Sequence, residues 1–352
     1  MNRIQANELQ AFVARALAAT GLPADDAAVV AARMTEADLI GADAHGVFRL
    51  PQYVRRLRAG GVNASPRVVL NRTGPATALV DGDNGMGHLA MTEAARAAVE
   101  IGRETGVAWV GTRRSNHAGA ASVYVEIPAR SGMIGIYSAV ASANHMPPWG
   151  GVDSLLGTNP LAIAVPLGDD PPVVLDFATT VVSYGTVKSK ELRGEPMPEG
   201  WMVNKSTGAS LTDPSRSGDG FLLPIGGYKG AGLSLMLGLL AGVLNGAGVG
   251  RDVVDFNADD RTAANTGQFI LALDVKRFID PVAFARAARQ HLSELRDSAR
   301  LPGVERIRLP GDDRAIRRAE RAKLGIPLPA ALLHKLDTLA RELGVASLHP
   351  GE

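Results

Sequence analysis

The segment DAHGVFRL, residues 43–50, sets His45 and Arg49 four positions apart, just after an apolar helical pattern, AAVVAARMTEADLIG, breaks at Gly41. If the chain resumes as helix through VFRLPQYVRRLRAGG, that spacing turns both side chains to one face. An imidazole changes charge near neutrality and a guanidinium grips a carboxylate at two points. The pair therefore suits a site that binds an organic acid and moves a proton beside it. The same two residues also read as a helix cap and a solvated surface charge.

Five further polar clusters have chemistry to offer. RRSNHAGAASVY places His117 after an apolar run and before a helix rich in small residues, whose first backbone N–H groups could receive a phosphate. GTNP offers Thr158 and Asn159 at a turn, and LDFATT ends an apolar run with Asp176. GGYKG sets Lys229 among glycines at a helix start, and RLPGDDR sets Arg308 and Arg314 around a Pro-Gly turn. Each alone also reads as a cap, a turn or a surface charge.

The elements that must position these residues follow from periodicity. Residues up to about Gly61 read as three helices. Strand-like runs (ATALVDG, VAWVGT, MIGIYSAVAS) then alternate with helical ones (MTEAARAAVEIGRETG, AASVYVEIPARSG), which argues an α/β sheet. LAIAVPL, PPVVLDFAT and GQFILALDV continue it, a Gly/Pro/Ser-rich region lies near 193–227, and the C-terminal part returns to helix. We expect three parts: residues 1–61 and 301–352 as the two halves of one helical subdomain, and 62–300 as an α/β core for cofactor and substrate. The uncharged stretch 230–250 spans enough residues to cross a bilayer. It lacks flanking basic clusters and is expected instead as a helix buried on all sides, in the core or at a subunit interface.

GMGHLA, residues 85–90, has the layout of a dinucleotide fingerprint between a strand and a helix. The next strand, however, ends in Thr112, Arg113 and Arg114 where an NAD-binding acid belongs, and DGDNGMG is equally good turn chemistry. The turn reading is preferred.

Composition narrows the function. The 352-residue chain has no cysteine, so disulfides, thiolate nucleophiles and Cys-held metals are excluded, and a cytoplasmic setting is expected. Its 37 basic and 36 acidic residues nearly cancel, giving no reason to expect nucleic-acid or membrane partners. The seven histidines show no metal-ligand spacing such as H-E-x-x-H.

In order and spacing, HGVFRLPQY, SNHAGAAS, GTNPLAIAVP, LDFATT, PIGGYKGAGLSLM, NTGQFILALD and RLPGDD resemble the malate/L-lactate dehydrogenase family of NAD(P)-dependent oxidoreductases over nearly the whole chain. The resemblance implies a non-Rossmann, sulfolactate dehydrogenase-like α/β fold with a mixed sheet and a helical subdomain formed by the two chain ends. It implies a homodimer, NAD or NADP as cofactor, and hydride transfer on a small 2-hydroxy or 2-keto carboxylate.

The resemblance also assigns roles. His45 is the general acid, with His117 holding that role in some relatives, and Arg49 holds the substrate carboxylate with Thr158, Tyr184 and Gly185 near it. His117, Ala118, Gly119, Ala120 and Ala121 contact the nicotinamide and phosphates, and Asp176, Phe177 and Ala178 line the cofactor. Lys229 and Gly230 make further cofactor contacts, as do Arg308, Leu309, Pro310, Gly311, Asp312 and Arg314 near the adenosine end. Two departures are expected to matter: Ala44 stands where many relatives have Ser, and Thr186 where the imine-reducing branch has Asp. Both partners of a relay to His45 are thereby missing, which favours a hydroxy-acid/keto-acid couple over cyclic-imine carboxylate reduction. A cofactor-binding protein with weakened catalysis is the third reading.

Overall fold

The structure is a computed structural model that describes residues 2–348; residues 349–352 of the expected C-terminal part lie outside the described residues. Three helices open the chain: α1 (Ala6–Ala18), α2 (Ala24–Leu39) and α3 (Leu50–Ala59). They pack with α9 (Asp312–Leu324) and α10 (Ala330–Leu343) from the other end. Leu9, Phe12, Leu17, Met34, Leu50, Leu332 and Leu336 fill one buried cluster there. The two ends are also tied by backbone: β1 (Asn2–Ile4) runs antiparallel to β13 (Ile326–Leu328), Ile4 opposite Ile326. Three-residue strands are too short to leave a periodic signature, so no pattern in the chain marks this pair.

The core is a seven-stranded sheet. Its strands are β2 (Val69–Gly74), β3 (Thr77–Asp81), β4 (Val107–Ser115), β5 (Met133–Ala139), β8 (Leu161–Leu167), β9 (Asp170–Phe177) and β12 (Thr266–Asp274). They lie in the order β2-β3-β4-β12-β5-β8-β9. Only β3 and β4 are parallel, joined over α4 (Gly87–Thr105), and every other neighbour is antiparallel. One βαβ unit in a mostly antiparallel sheet is not a doubly wound dinucleotide fold. Alanines on α4 and the sheet (Ala94, Ala95, Ala98, Ala108, Ala162, Ala164, Ala272) are buried together, and their small size lets α4 and α5 (Ser122–Ala129) approach the sheet closely. Two small hairpin pairs, β6 (Asn144–Met146) with β7 (Leu156–Gly157) and β10 (Met202–Asn204) with β11 (Gly220–Leu222), frame helix α6 (Tyr184–Arg193) beside the cleft. The remaining helices are α7 (Tyr228–Ala241) and α8 (Pro281–Arg296).

The fingerprint look-alike resolves as a turn. Asp83 and Asn84 take left-handed φ of 47° and 52°, and Arg114 reaches back to Asp81 (3.2 Å) and Asp83 (2.8 Å). A Cβ on Gly87 would lie 2.0 Å from the carbonyl oxygen of Asn116, so the glycine serves helix-to-backbone packing and leaves no space for a pyrophosphate.

The apolar stretch 230–250 is not helical throughout. Its helix ends at Ala241, and only the stripe Gly230, Ala231, Ser234, Leu237, Gly238 and Ala241 is buried. Leu235, Met236, Leu239 and Leu240 are 37–55% exposed on the other side. The helix is apolar all round, so its sequence hides the difference between a small-residue stripe and a large-residue one. No helix among the described residues is long and apolar enough to cross a membrane.

Gly87→Ala should lower the unfolding free energy by roughly 1–3 kcal/mol or more, the range for overpacking, because its clash is with backbone that cannot rotate away. The check is a urea midpoint; an unchanged midpoint would remove this contact from the account of the turn.

Candidate active site

The turn carrying His45 and Arg49 is not the continuous helix its spacing suggested. After α2, two 3-10 turns, Asp43–His45 and Val47–Arg49, meet at Gly46, whose ψ of −140° breaks the helix. Asp38, at the end of α2 and 1% exposed, holds the break: its carboxylate accepts the Val47 N–H at 2.8 Å. A Cβ on Gly46 would sit 2.0 Å from that carboxylate. Burial pushes the Asp38 carboxyl well above its ordinary range. Arg321 of α9 closes the outside of the turn, pairing with Asp43 and donating to the Asp38 carbonyl.

Arg49 is 7% exposed. Its Nε donates to the Ala44 carbonyl (3.0 Å) and its Nη1 to Gln52 Oε1 (3.0 Å) and Asn257 Oδ1 (3.5 Å). All three acceptors are neutral. Among the described residues no carboxylate pairs with this guanidinium, and Nη2 has no acceptor. A buried cation left this way favours an incoming anion, and its fork matches a carboxylate.

His117, at the end of the segment following β4, lies against the same turn. Its ring is parallel to that of His45 (5.8 Å between centroids, 9°) and stacks on Phe256 at 4.8 Å. Tyr53 Oη is 2.6 Å from His117 Nδ1. Burial, then the charge of Arg49, lowers the His45 imidazole to about 4. The same two causes, in the same order, hold His117 well below its ordinary value. Both rings are therefore neutral at pH 7. The His45 ring makes no hydrogen bond to the described residues, so its nitrogens remain available to a ligand.

These side chains line a cleft of about 620 Å³, within the range of small-molecule sites. His45, Arg49, His117–Ala121, Thr158, Asp176, Phe177, Ala178, Tyr184, Gly185 and Arg314 all face it. Gly185 packs so closely that a Cβ there would be 3.0 Å from Arg49 Nη2. The start of α5, however, is not an open anion site: the Ser122 N–H is accepted by Asp176 Oδ2 (3.1 Å), and Arg314 holds that carboxylate at 2.9 Å and Ser122 Oγ at 2.6 Å. The carboxylate stands where the sequence reading placed a phosphate.

Lys229 and Gly230 are off the cleft. Lys229 is exposed, and Gly230 is buried against the backbone of Ile225, itself a cleft residue. Arg308 pairs with Asp313 at 3.5 Å, and the Leu309 N–H is accepted by Asp312. Leu309, Pro310 and Asp312 line neither cleft; Gly311 (φ +90°) packs on Val174 and borders a second cleft of about 590 Å³ that shares Arg314 with the first.

Several residues of the site are not singled out by the sequence: Phe256, Asn257 and His145, whose ring stacks on Tyr184 at 3.8 Å, line the cleft, and Gln52 and Tyr53 hold Arg49 and His117. A signal for two of them exists. Arg49, Gln52, Tyr53 and Arg56 fall at positions i, i+3, i+4 and i+7, and all four are buried, so α3 turns a polar face inward.

The family model described as malate/L-lactate dehydrogenase matches residues 4–337. The chain belongs to this family. A malate dehydrogenase of Pyrococcus abyssi is 38% identical over 98% of this chain and 96% of its own length. A ureidoglycolate dehydrogenase (NAD(+)) of Escherichia coli K12 is 35% identical over 93% and 92%. The solved structure of malate dehydrogenase from Pyrococcus horikoshii superposes with a TM-score of 0.90 at 33% identity, covering 98% of this chain and 97% of that one. The expected mixed-sheet, non-Rossmann fold is thus the family's own.

Because the Arg49 charge is among the causes that lower His45, Arg49→Gln should raise the His45 pKa above its value of about 4 in the free protein. Histidine NMR titration of the two proteins tests this; an unmoved or lower pKa would separate the two residues electrically.

Proposed function

We propose that this protein is an NAD(P)-dependent oxidoreductase acting on a small 2-hydroxy/2-keto carboxylate. The observation that carries this reading is Arg49, a buried guanidinium satisfied on three sides by neutral oxygens and open toward a cleft that also holds His45. Carboxylate binding at Arg49 brings the adjacent hydroxyl or carbonyl carbon of such a substrate toward the imidazole.

The cleft fits a nicotinamide cofactor. Ala118, Ala120, Ala121, Ala139 and Ala141 make a wall of small side chains that admits a flat ring, and His117 closes one end of it. In this reading residues 117–121 and 176–178 hold the nicotinamide half, and Gly311 and Arg314 border the path to the second cleft. When bound, NAD or NADP supplies or accepts the hydride.

His45 exchanges the proton. Neutral in the free protein, its imidazole is ready to accept the hydroxyl proton during oxidation. In the reducing direction it must carry a proton, and a substrate carboxylate on Arg49 helps by cancelling one of the charges that lower its pKa. Neither neighbouring departure offers His45 a relay: Ala44 has no hydroxyl, and the Thr186 hydroxyl is engaged by Ser183 at 2.9 Å. This supports hydroxy-acid chemistry over imine reduction.

A cytoplasmic homodimer is part of the same proposal. The exposed face of α7 continues through Val243 (53%) and Leu244 (63%), with Tyr228 (63%) at its start, and a second copy would cover it.

Three outcomes are expected. His45→Ala should lower kcat on its 2-keto acid by about two to four orders of magnitude while reduced cofactor still binds by fluorescence. Arg49→Lys should raise KM for the keto acid far more than it weakens cofactor binding; an unchanged KM would remove Arg49 from the substrate site. Leu239→Glu should convert a dimer to monomer in sedimentation equilibrium, and a wild-type monomer would end the dimer proposal.

A further inference from the structure

His117 receives two hydrogen bonds at one nitrogen. Tyr53 Oη lies 2.6 Å from Nδ1, and the backbone N–H of Gly119 points at the same atom from 3.3 Å. A backbone N–H can only donate, so Nδ1 must present a lone pair. The Tyr53 hydroxyl then also donates there. The proton of the neutral ring is left to Nε2, the nitrogen on the opposite side of the ring, which has no partner among the described residues.

This arrangement is built into the fold. Gly119 aims its N–H by adopting φ of +76°, and a Cβ there would approach His88 Nε2 at 3.0 Å. Tyr53 is 2% exposed, and its ring is held edge-on against His88 (5.4 Å, 85°). The His117 ring runs nearly parallel to those of His45 and Phe256, with centroids 5.8 and 4.8 Å away. The Tyr53 hydroxyl meets this acceptor with no other partner among the described residues.

We propose that the Gly119 N–H and the Tyr53 hydroxyl together lock His117 as the Nε2–H tautomer, with Gly119 selecting the bare nitrogen and Tyr53, the positioning side chain, supplying the shorter bond to it. His117 is thereby a fixed hydrogen-bond donor toward the cleft and not the group that exchanges the substrate proton. The two imidazoles divide the work: His45, with no hydrogen bond of its own, changes protonation, and His117, with Nδ1 occupied twice, does not. The catalytic consequence rests on the dehydrogenase reading above; the tautomer does not.

The test is a long-range 1H–15N correlation spectrum of histidine-labelled protein at pH 7, read for His117 in the wild type and in Tyr53→Phe, which keeps the ring packing. The expected wild-type pattern is an unprotonated Nδ1 and a protonated Nε2. In Tyr53→Phe the Nδ1–H form should become populated. The kcat should fall roughly 10- to 100-fold, the range found for loss of partners that orient metal-bound imidazoles, with KM for the keto acid changed less. A wild-type ring protonated on Nδ1 overturns the lock, and a tautomer unchanged in Tyr53→Phe, whatever the activity does, leaves it to the Gly119 N–H alone and overturns the part given to Tyr53. A changed tautomer with unchanged kcat overturns its catalytic consequence. Should Tyr53→Phe not fold, the wild-type spectrum alone decides the tautomer. The kinetic arm then uses Tyr53→Leu, which also removes the hydroxyl and adds no volume to the buried site. The expected tautomer in a protein that turns over no hydroxy or keto acid would leave the lock standing and sink the dehydrogenase reading.

Discussion

The charge of Arg49, held out of water without an anion, is the constraint around which the site is arranged. A buried guanidinium is costly unless its donors are met, and an acidic neighbour would meet them most strongly while filling the place a substrate needs. The chain uses amide and carbonyl oxygens instead. Arg56, two turns along α3, shows the contrasting solution: it is 1% exposed, and its donors are taken up by the carbonyls of Gly61, Asp259 and Thr262. The same helix thus carries one arginine that is finished as structure and one that is left with a donor to spare.

That polar face of α3 also organises sequence-distant chain. Gln52 Nε2 donates to the Phe256 carbonyl at 2.6 Å, Arg56 fastens the loop at 259 and 262, and Arg55 pairs with Asp260 at 3.3 Å. The loop leading into β12 is therefore pinned to the helical end of the molecule, and Phe256 is delivered beneath His117. Asp38 performs the matching task on the other side of Arg49. Its buried carboxylate needs the Val47 N–H, and that need fixes where the chain turns between His45 and Arg49. Two desolvated groups, each satisfied locally, thus set the relative placement of an imidazole and a guanidinium more tightly than one continuous helix turn would.

What could be read from the sequence follows from which interactions are local. The helices and longer strands were legible because each buries one face at a regular period. His45, Arg49 and His117 were legible because polar residues interrupt those periods. The insertion of β12 between β4 and β5 was not legible, since it joins strands more than a hundred residues apart through backbone bonds that favour no particular sequence. Phe256 and His145 were hidden for a related reason: an aromatic ring in a loop has no local pattern that says which ring it will stack on. At the start of α5 the Ser122 N–H meets a carboxylate of the protein's own, Asp176, and a helix start accepts that as readily as a phosphate, so the sequence does not tell the two apart.

The balance of charge in the cleft then explains how a neutral imidazole cluster coexists with a buried cation. Asp176 raises His45 and Arg314 lowers it, and since these two are paired at 2.9 Å their influences oppose each other. Arg49 is the remaining charge acting on the ring. His88 sits behind Tyr53 with burial lowering it to about 3, and Arg49, His45 and His88 all discourage protonation of His117. A carboxylate arriving at Arg49 therefore changes the field at both imidazoles, and of the two only His45 has both nitrogens free of hydrogen bonds to the described residues. In the proposed reading, substrate binding and proton readiness are coupled through this one uncompensated charge.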